Sequence, residues 1–138
     1  RPGALQTYTF LVTYLPKPSV KRKIEMAADQ TLDDLHHAIQ AAVNFDEDHL
    51  YSFYMSGKAW DETTEYTSPQ GEGCSAAGVR IRDLRLRMKQ RFLYLFDYGD
   101  QHEFGIQLEA INPDAPQGRY PKIIERQGRN PKQYRDWE

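Results

Sequence analysis

The segment from Phe92 to Tyr98 constrains the fold more than any other part of the sequence. One face of an extended strand here carries Phe92, Tyr94 and Phe96, and the other carries Leu93 and Leu95. A strand that is apolar on both faces belongs in the interior of a sheet, where both faces are covered. Gly99 and Asp100 then form a turn, and residues 102–109 alternate apolar and polar side chains. The two segments predict a hairpin near the middle of a sheet.

A second hairpin is predicted near the start of the chain. Its strands carry alternating inward side chains, Tyr8, Phe10, Val12 and Tyr14 on the first and Val20, Arg22, Ile24 and Met26 on the second. Pro16 and Pro18 separate the strands.

One amphipathic helix is predicted between Thr31 and Asn44. Thr31 is a suitable N-cap, Asp34 stands at the capping-box position, and apolar residues recur at helical spacing as far as Val43. Another strand follows from Leu50 to Met55, and a short helix is predicted from Ile81 to Met88.

These elements predict one α+β domain over residues 1–138. We expect an antiparallel or mixed sheet built from hairpins, with the helix packed on one face; a β-grasp-like arrangement is one form it can take. Residues 61–78 are predicted to form a long polar loop, and residues 113–138 an irregular surface tail.

Length and cysteine content set further bounds. A chain of 138 residues is long enough for one core, and its apolar runs are too short to cross a membrane. The single cysteine, Cys74, excludes an internal disulfide framework and fits a reducing compartment, so we expect a cytoplasmic protein. Because the chain starts at Arg1 rather than at methionine, we expect a fragment or a processed product.

The net charge of -2 conceals blocks of opposite charge. The most basic block, called here the basic segment, carries Arg80, Arg82, Arg85, Arg87, Lys89 and Arg91, with Asp83 as its one acid. Two interpretations remain open. The blocks either screen one another in the fold, or they leave a basic face for a phosphate backbone or an acidic partner.

The turn between the last two predicted strands carries Asp97, Asp100, His102 and Glu103. Carboxylates and an imidazole on a rigid hairpin could bind a divalent metal or transfer a proton. Aspartate and glycine are also ordinary turn residues, and no second histidine follows at ligand spacing. The residues therefore favour ordinary turn chemistry, assign no metal ligand here, and leave a metal-dependent or acid–base site as the alternative.

The remaining histidines give weaker signals. His36 and His37 are adjacent on the predicted helix and point about 100° apart, so they are not expected to face one ion easily. Asp33 and His37 share a helix face, a spacing typical of a surface contact. His49 and Cys74 are expected to have ordinary surface and loop roles.

Several stretches resemble the plasmid pRiA4b ORF-3-like family. They are Thr31-Leu-Asp-Asp-Leu-His, Phe45-Asp-Glu-Asp-His-Leu-Tyr-Ser-Phe, Arg91-Phe-Leu-Tyr-Leu-Phe-Asp-Tyr-Gly-Asp, Tyr120-Pro-Lys-Ile-Ile-Glu-Arg-Gln-Gly and Pro131-Lys-Gln-Tyr. The resemblance covers Tyr8 to Tyr134 and implies an α+β domain without an established activity. Members are also described as passenger proteins of insertion elements. Many of them carry tryptophan where this chain has His102 and histidine where it has Phe104, so a shared catalytic role for these positions is not implied.

We therefore expect an accessory or binding domain, associated with mobile elements, that contacts a protein or nucleic acid without catalysis and without a cofactor. The alternative is a metal-dependent or acid–base enzyme centred on Asp97, Asp100, His102 and Glu103.

Overall fold

Seven strands form one sheet, and one α-helix packs against it, in the computed structural model, which describes residues 5–134. The elements are β1 (Leu5–Tyr14), β2 (Lys21–Ala27), α1 (Leu32–Val43), β3 (Tyr51–Tyr54), β4 (Glu65–Thr67), β5 (Arg91–Phe96), β6 (His102–Ala115) and β7 (Lys122–Gln127). The strand order is β4-β3-β5-β6-β1-β2-β7, and neighbouring strands run antiparallel throughout. The predicted α+β class is confirmed, in its antiparallel form.

Both predicted hairpins are present. In the first, Phe10 lies opposite Ile24; in the second, Tyr94 lies opposite Phe104. The doubly apolar strand β5 lies inside the sheet, between β3 and β6. This position satisfies its backbone on both sides and leaves its side chains to be covered from both faces.

The two faces of the sheet are covered differently. On one face, α1 buries the main core, to which Phe10, Ile24, Leu35 and Phe104 belong. On the other face, Tyr54, Leu93 and Leu95 form a small second cluster, against which Ala59 and Tyr98 pack. Strand β5 is therefore apolar on both faces because its alternate side chains belong to two separate clusters.

The helix begins as predicted. The Thr31 hydroxyl accepts from the Asp34 amide at 3.1 Å, and the Asp34 carboxylate accepts from the Thr31 amide at 2.9 Å, which completes the capping box. The helix ends at Asn44 in a left-handed conformation. No helix in the described range 5–134 is long and apolar enough to span a bilayer.

Three local predictions need correction. Within the predicted loop 61–78, Glu65–Thr67 forms the edge strand β4 beside β3. The tail is only partly irregular, because β6 continues to Ala115 and Lys122–Gln127 forms β7 beside β2. The predicted helix 81–88 is a single 3-10 turn, Ile81–Leu84. The strand segments among them have weak patterns of their own and are ordered by pairing with β3, β1 and β2. The last four residues of the predicted tail lie outside the described residues.

Candidate functional site

The turn that sequence analysis selected is held by local backbone contacts. Asp97 is buried, has a left-handed φ of 67°, and accepts through Oδ1 from the amides of Gly99 at 3.0 Å and Asp100 at 3.3 Å. Its other oxygen lies 3.4 Å from Nε2 of His49. The Asp97 carboxylate is thus engaged in shaping the turn and contacting His49.

His102 and Glu103 lie on opposite faces of β6, as alternation along a strand requires. The His102 ring is buried; its Nδ1 lies 2.9 Å from the Tyr14 hydroxyl, and its Nε2 lies 2.8 Å from the Gln133 carbonyl oxygen. Both ring nitrogens are therefore occupied by structural partners.

The four turn residues are consequently not brought together. Asp100 and His102 line a shallow pocket of about 360 Å³ with Tyr14 and other residues, while Asp97 and Glu103 do not line it. Burial, and then the nearby Asp100 carboxylate, raise the pKa of Tyr14. The geometry does not support one acid–base centre made of all four predicted residues.

The basic segment, residues 80–91, follows β4 in the chain and ends at the first residue of β5. All six of its predicted basic side chains, on Arg80, Arg82, Arg85, Arg87, Lys89 and Arg91, belong to exposed residues. Arg82 pairs with Asp29 at 2.5 Å, and Lys89 pairs with Glu109 at 2.8 Å. The other four make no ion pair with any described carboxylate.

A further cluster, which the sequence did not predict as a site, lies where α1 meets the segment that follows it. We call it the histidine cluster: Asp33, His36, His37 and Glu47. Donor atoms of the first three all lie within 4.8 Å of one another. Glu47 Oε1 lies 3.3 Å from Nε2 of His36 and contacts Nδ1 of His37 directly. The two rings diverge as expected of adjacent helical residues, but one oxygen of Glu47 reaches both of them.

The two histidines differ in burial and in protonation. Burial, and then the neighbouring His37, lower the pKa of His36 to about 3. Burial also acts to lower the pKa of His37, but hydrogen bonds to Glu47 and Asp33 and the charges of these carboxylates outweigh it, so the pKa is raised. The cluster therefore pairs a neutral inner imidazole with an outer one that favours its charged form.

The spacing of Asp33 and His37 was the one sequence signal for this cluster. The sequence could not show that Glu47, ten residues beyond His37, folds back onto both rings. Nor could it show that Tyr94 on β5 meets His36 from the sheet, with 2.5 Å between its hydroxyl and Nδ1.

Comparison with known proteins agrees with this fold and sequence pattern. The family model described as plasmid pRiA4b ORF-3-like protein matches residues 8–134. The chain belongs to this family. The expected resemblance is therefore confirmed over nearly the whole chain, and membership in the pRiA4b ORF-3-like family by itself assigns no reaction.

The fold is shared by a solved structure. It is the crystal structure of a protein of unknown function, MM3350, from Methanosarcina mazei Go1, with a TM-score of 0.72 and 24% sequence identity. The match covers 89% of this chain and 70% of that one. No curated protein matches the sequence.

Proposed function

We propose that this pRiA4b ORF-3-like chain is a non-catalytic accessory domain that binds nucleic acid through the basic segment. The observation that carries the proposal is the exposure of Arg80, Arg85, Arg87 and Arg91 without a described ion-pair partner. Guanidinium groups suit phosphate oxygens because their planar donors can bind two oxygens at once.

The surroundings of the basic segment also support this choice over a protein partner. An interface with a protein is usually built around a buried apolar or aromatic centre. The basic segment instead presents charge along its length, with Met88 as its one exposed large apolar residue. Such a surface fits the regular negative charge of a phosphate backbone.

The proposal also includes an association with mobile elements and a cytoplasmic location. The family description names a plasmid open reading frame, which supports an association with mobile elements. A cytoplasmic location is supported by Cys74, the one cysteine of the sequence, which is exposed and free.

Reversing two charges of the basic segment tests the proposal. We expect the double variant Arg85→Glu and Arg87→Glu to weaken binding to a labelled DNA duplex or RNA strand about tenfold or more at low salt. The dependence of log K on log salt should become shallower by about 2, since two phosphate contacts are lost. Fluorescence anisotropy over a salt series measures both quantities.

The matched control is the double variant Lys17→Glu and Lys58→Glu. Both lysines are exposed, lie outside the basic segment, and change the net charge by the same amount. Equal weakening by both variants would show a non-specific charge effect and contradict the proposal. Negligible binding of the wild-type chain at low salt would also overturn it, as would capture of an acidic protein in place of nucleic acid.

A further inference from the structure

The histidine cluster brings two imidazoles and two carboxylates to one place on the surface of the domain. We propose that Asp33, His36, His37 and Glu47 form a binding site for a divalent transition-metal ion, with Zn²⁺ as the ion to test. The inference goes beyond the proposed function, because it concerns other residues and needs no nucleic acid.

Two pairs of donor atoms already have separations close to those that a metal requires, and donor atoms of Asp33, His36 and His37 all lie within 4.8 Å of one another. In a tetrahedral zinc site with metal–nitrogen bonds of about 2.0 Å, neighbouring donors lie about 3.3 Å apart. Nε2 of His36 lies 3.3 Å from Oε1 of Glu47, and Nε2 of His37 lies 3.2 Å from Oδ2 of Asp33. Because His37 meets Asp33 through Nε2 and Glu47 through Nδ1, its ring has to turn, together with small movements of the other side chains, for the four residues to surround one ion.

The position of Glu47 explains how adjacent helical histidines can share an ion. His36 points inward and His37 points outward, so their rings diverge, although the ring centroids remain 4.8 Å apart. Glu47 follows the end of α1 and returns over this part of the helix, where one of its oxygens reaches both rings. The His37 side chain is 55% exposed and can turn its ring towards the ion.

The inner ligand is held in place by surrounding side chains. The His36 ring stacks on Tyr51 with centroids 3.9 Å apart and planes 15° apart. Its Nδ1 lies 2.5 Å from the Tyr94 hydroxyl, which also accepts from Nε2 of Gln40 at 3.0 Å. In the tautomer with the proton on Nδ1, His36 donates to Tyr94, and Nε2 is left as a ligand atom facing Glu47.

The outer carboxylate is oriented as well. The Tyr51 hydroxyl donates to one oxygen of Asp33, and the other oxygen lies 3.2 Å from His37. Hydrogen bonds of this kind to metal ligands commonly set their orientation and raise their affinity. Tyr51 therefore supports both sides of the site, by stacking on His36 and by holding Asp33.

The donor set indicates the class of ion. Imidazole nitrogen favours zinc, cobalt, nickel and copper over magnesium and calcium, which prefer oxygen ligands throughout. The two carboxylates supply two formal negative charges, which balance the charge of a divalent ion.

The decisive experiment is calorimetric titration of the chelator-treated full chain with Zn²⁺. We expect one equivalent to bind to the wild-type chain, and the variants His37→Gln and Glu47→Gln to lose affinity at least tenfold. Both side chains are partly exposed, so these changes leave the core intact. The matched controls, His49→Gln and Asp48→Asn, replace an exposed histidine and an exposed acid outside the cluster and should bind like the wild type.

Two further readouts identify the ligands. Titration with Co²⁺ should produce visible absorption bands in the wild type that the two ligand variants lack. Nitrogen NMR of the imidazoles should show Zn²⁺-dependent shifts at His36 and His37 but not at His102. The proposal is overturned if Zn²⁺ does not bind, if the ligand variants bind as tightly as the wild type, or if His49→Gln removes binding.

Discussion

Replacing Arg22 with alanine should lower the free energy of unfolding by about 3 to 5 kcal/mol. Arg22 as a residue is 3% exposed, and its guanidinium nitrogens donate to five oxygens. The acceptors are the carbonyl oxygens of Ala42 at 2.9 Å, Lys21 at 2.6 Å, Gln127 at 2.7 Å and Gly128 at 3.1 Å, and the side-chain oxygen of Asn130 at 2.8 Å. Alanine would remove the donor from all five oxygens, leaving only the Ala42 carbonyl with another described side-chain donor, Arg126, and would also create a cavity.

The expected loss is large because Arg22 joins three parts of the fold. Its cation lies at the negative end of α1, where the Ala42 carbonyl has no partner within the helix. The same guanidinium holds the end of β7 and the chain that follows it. Chemical denaturation measures the stability, and limited proteolysis after Gly128 should show earlier cleavage in the variant.

Arg126→Ala is the matched control. Arg126 also donates to the Ala42 carbonyl, at 2.7 Å, but it is exposed and belongs to an edge strand. We expect a loss of about 1 kcal/mol or less, since water can replace the contact. Equal losses for the two arginine variants would contradict the central role assigned to Arg22.

Acidification should destabilise the chain through His36, with a loss of about 2 kcal/mol at pH 5 relative to neutral pH. The pKa of His36 is about 3 in the folded chain, whereas an unfolded histidine titrates near pH 6.5. Below about pH 6.5 the unfolded chain therefore takes up a proton that the folded chain does not. Stability from this residue is present above that pH and falls as the pH drops towards 3.

The groups that face His36 also affect how stability depends on pH. Tyr94 and Tyr51 pack on the ring, and Glu47 and His37 lie beside it. His37 acts in the opposite direction, because its raised pKa makes its contribution largest at low pH and smaller as the pH rises. The comparison should therefore be made in the His37→Gln background, with a chelator present to remove metal.

The measurement is the unfolding free energy between pH 7 and pH 5 with and without the added change His36→Gln. The chain that retains His36 should lose stability more steeply. NMR titration of the His36 ring in the wild type gives a second readout, which does not require the variant to fold. Parallel stability profiles, or a ring that titrates near pH 6.5 in the folded chain, would contradict the prediction.

The alternation of apolar residues predicted most of the sheet, because a strand with one buried face must repeat every two residues. It correctly placed Arg22 in line with Ile24 and Met26 on the inward face of β2. It could not say why a cation occupies that position. The reason is the end of α1, a separate element whose Ala42 carbonyl has no partner within the helix and lies against β2 only after the chain has folded.

The edge strands β4 and β7 were not predicted, because they too depend on contact with another element. Their residues are partly exposed and carry little alternation, so their order comes from backbone pairing with β3 and β2. A neighbouring strand bonds to the backbone, which is the same for almost any side-chain pattern. The local sequence therefore does not show that such a strand will form.

The sequence by itself determined the α+β class, the central hairpin, the capped helix and the family, because each depends on periodicity or on residues that are neighbours in the chain. Only the tertiary structure decided which polar residues meet. It placed the His102 ring between Tyr14 and Gln133, two residues that are distant from it in the chain. It joined His36 to Glu47 and Tyr94, since a helix, a loop and a distant strand converge only when the core packs.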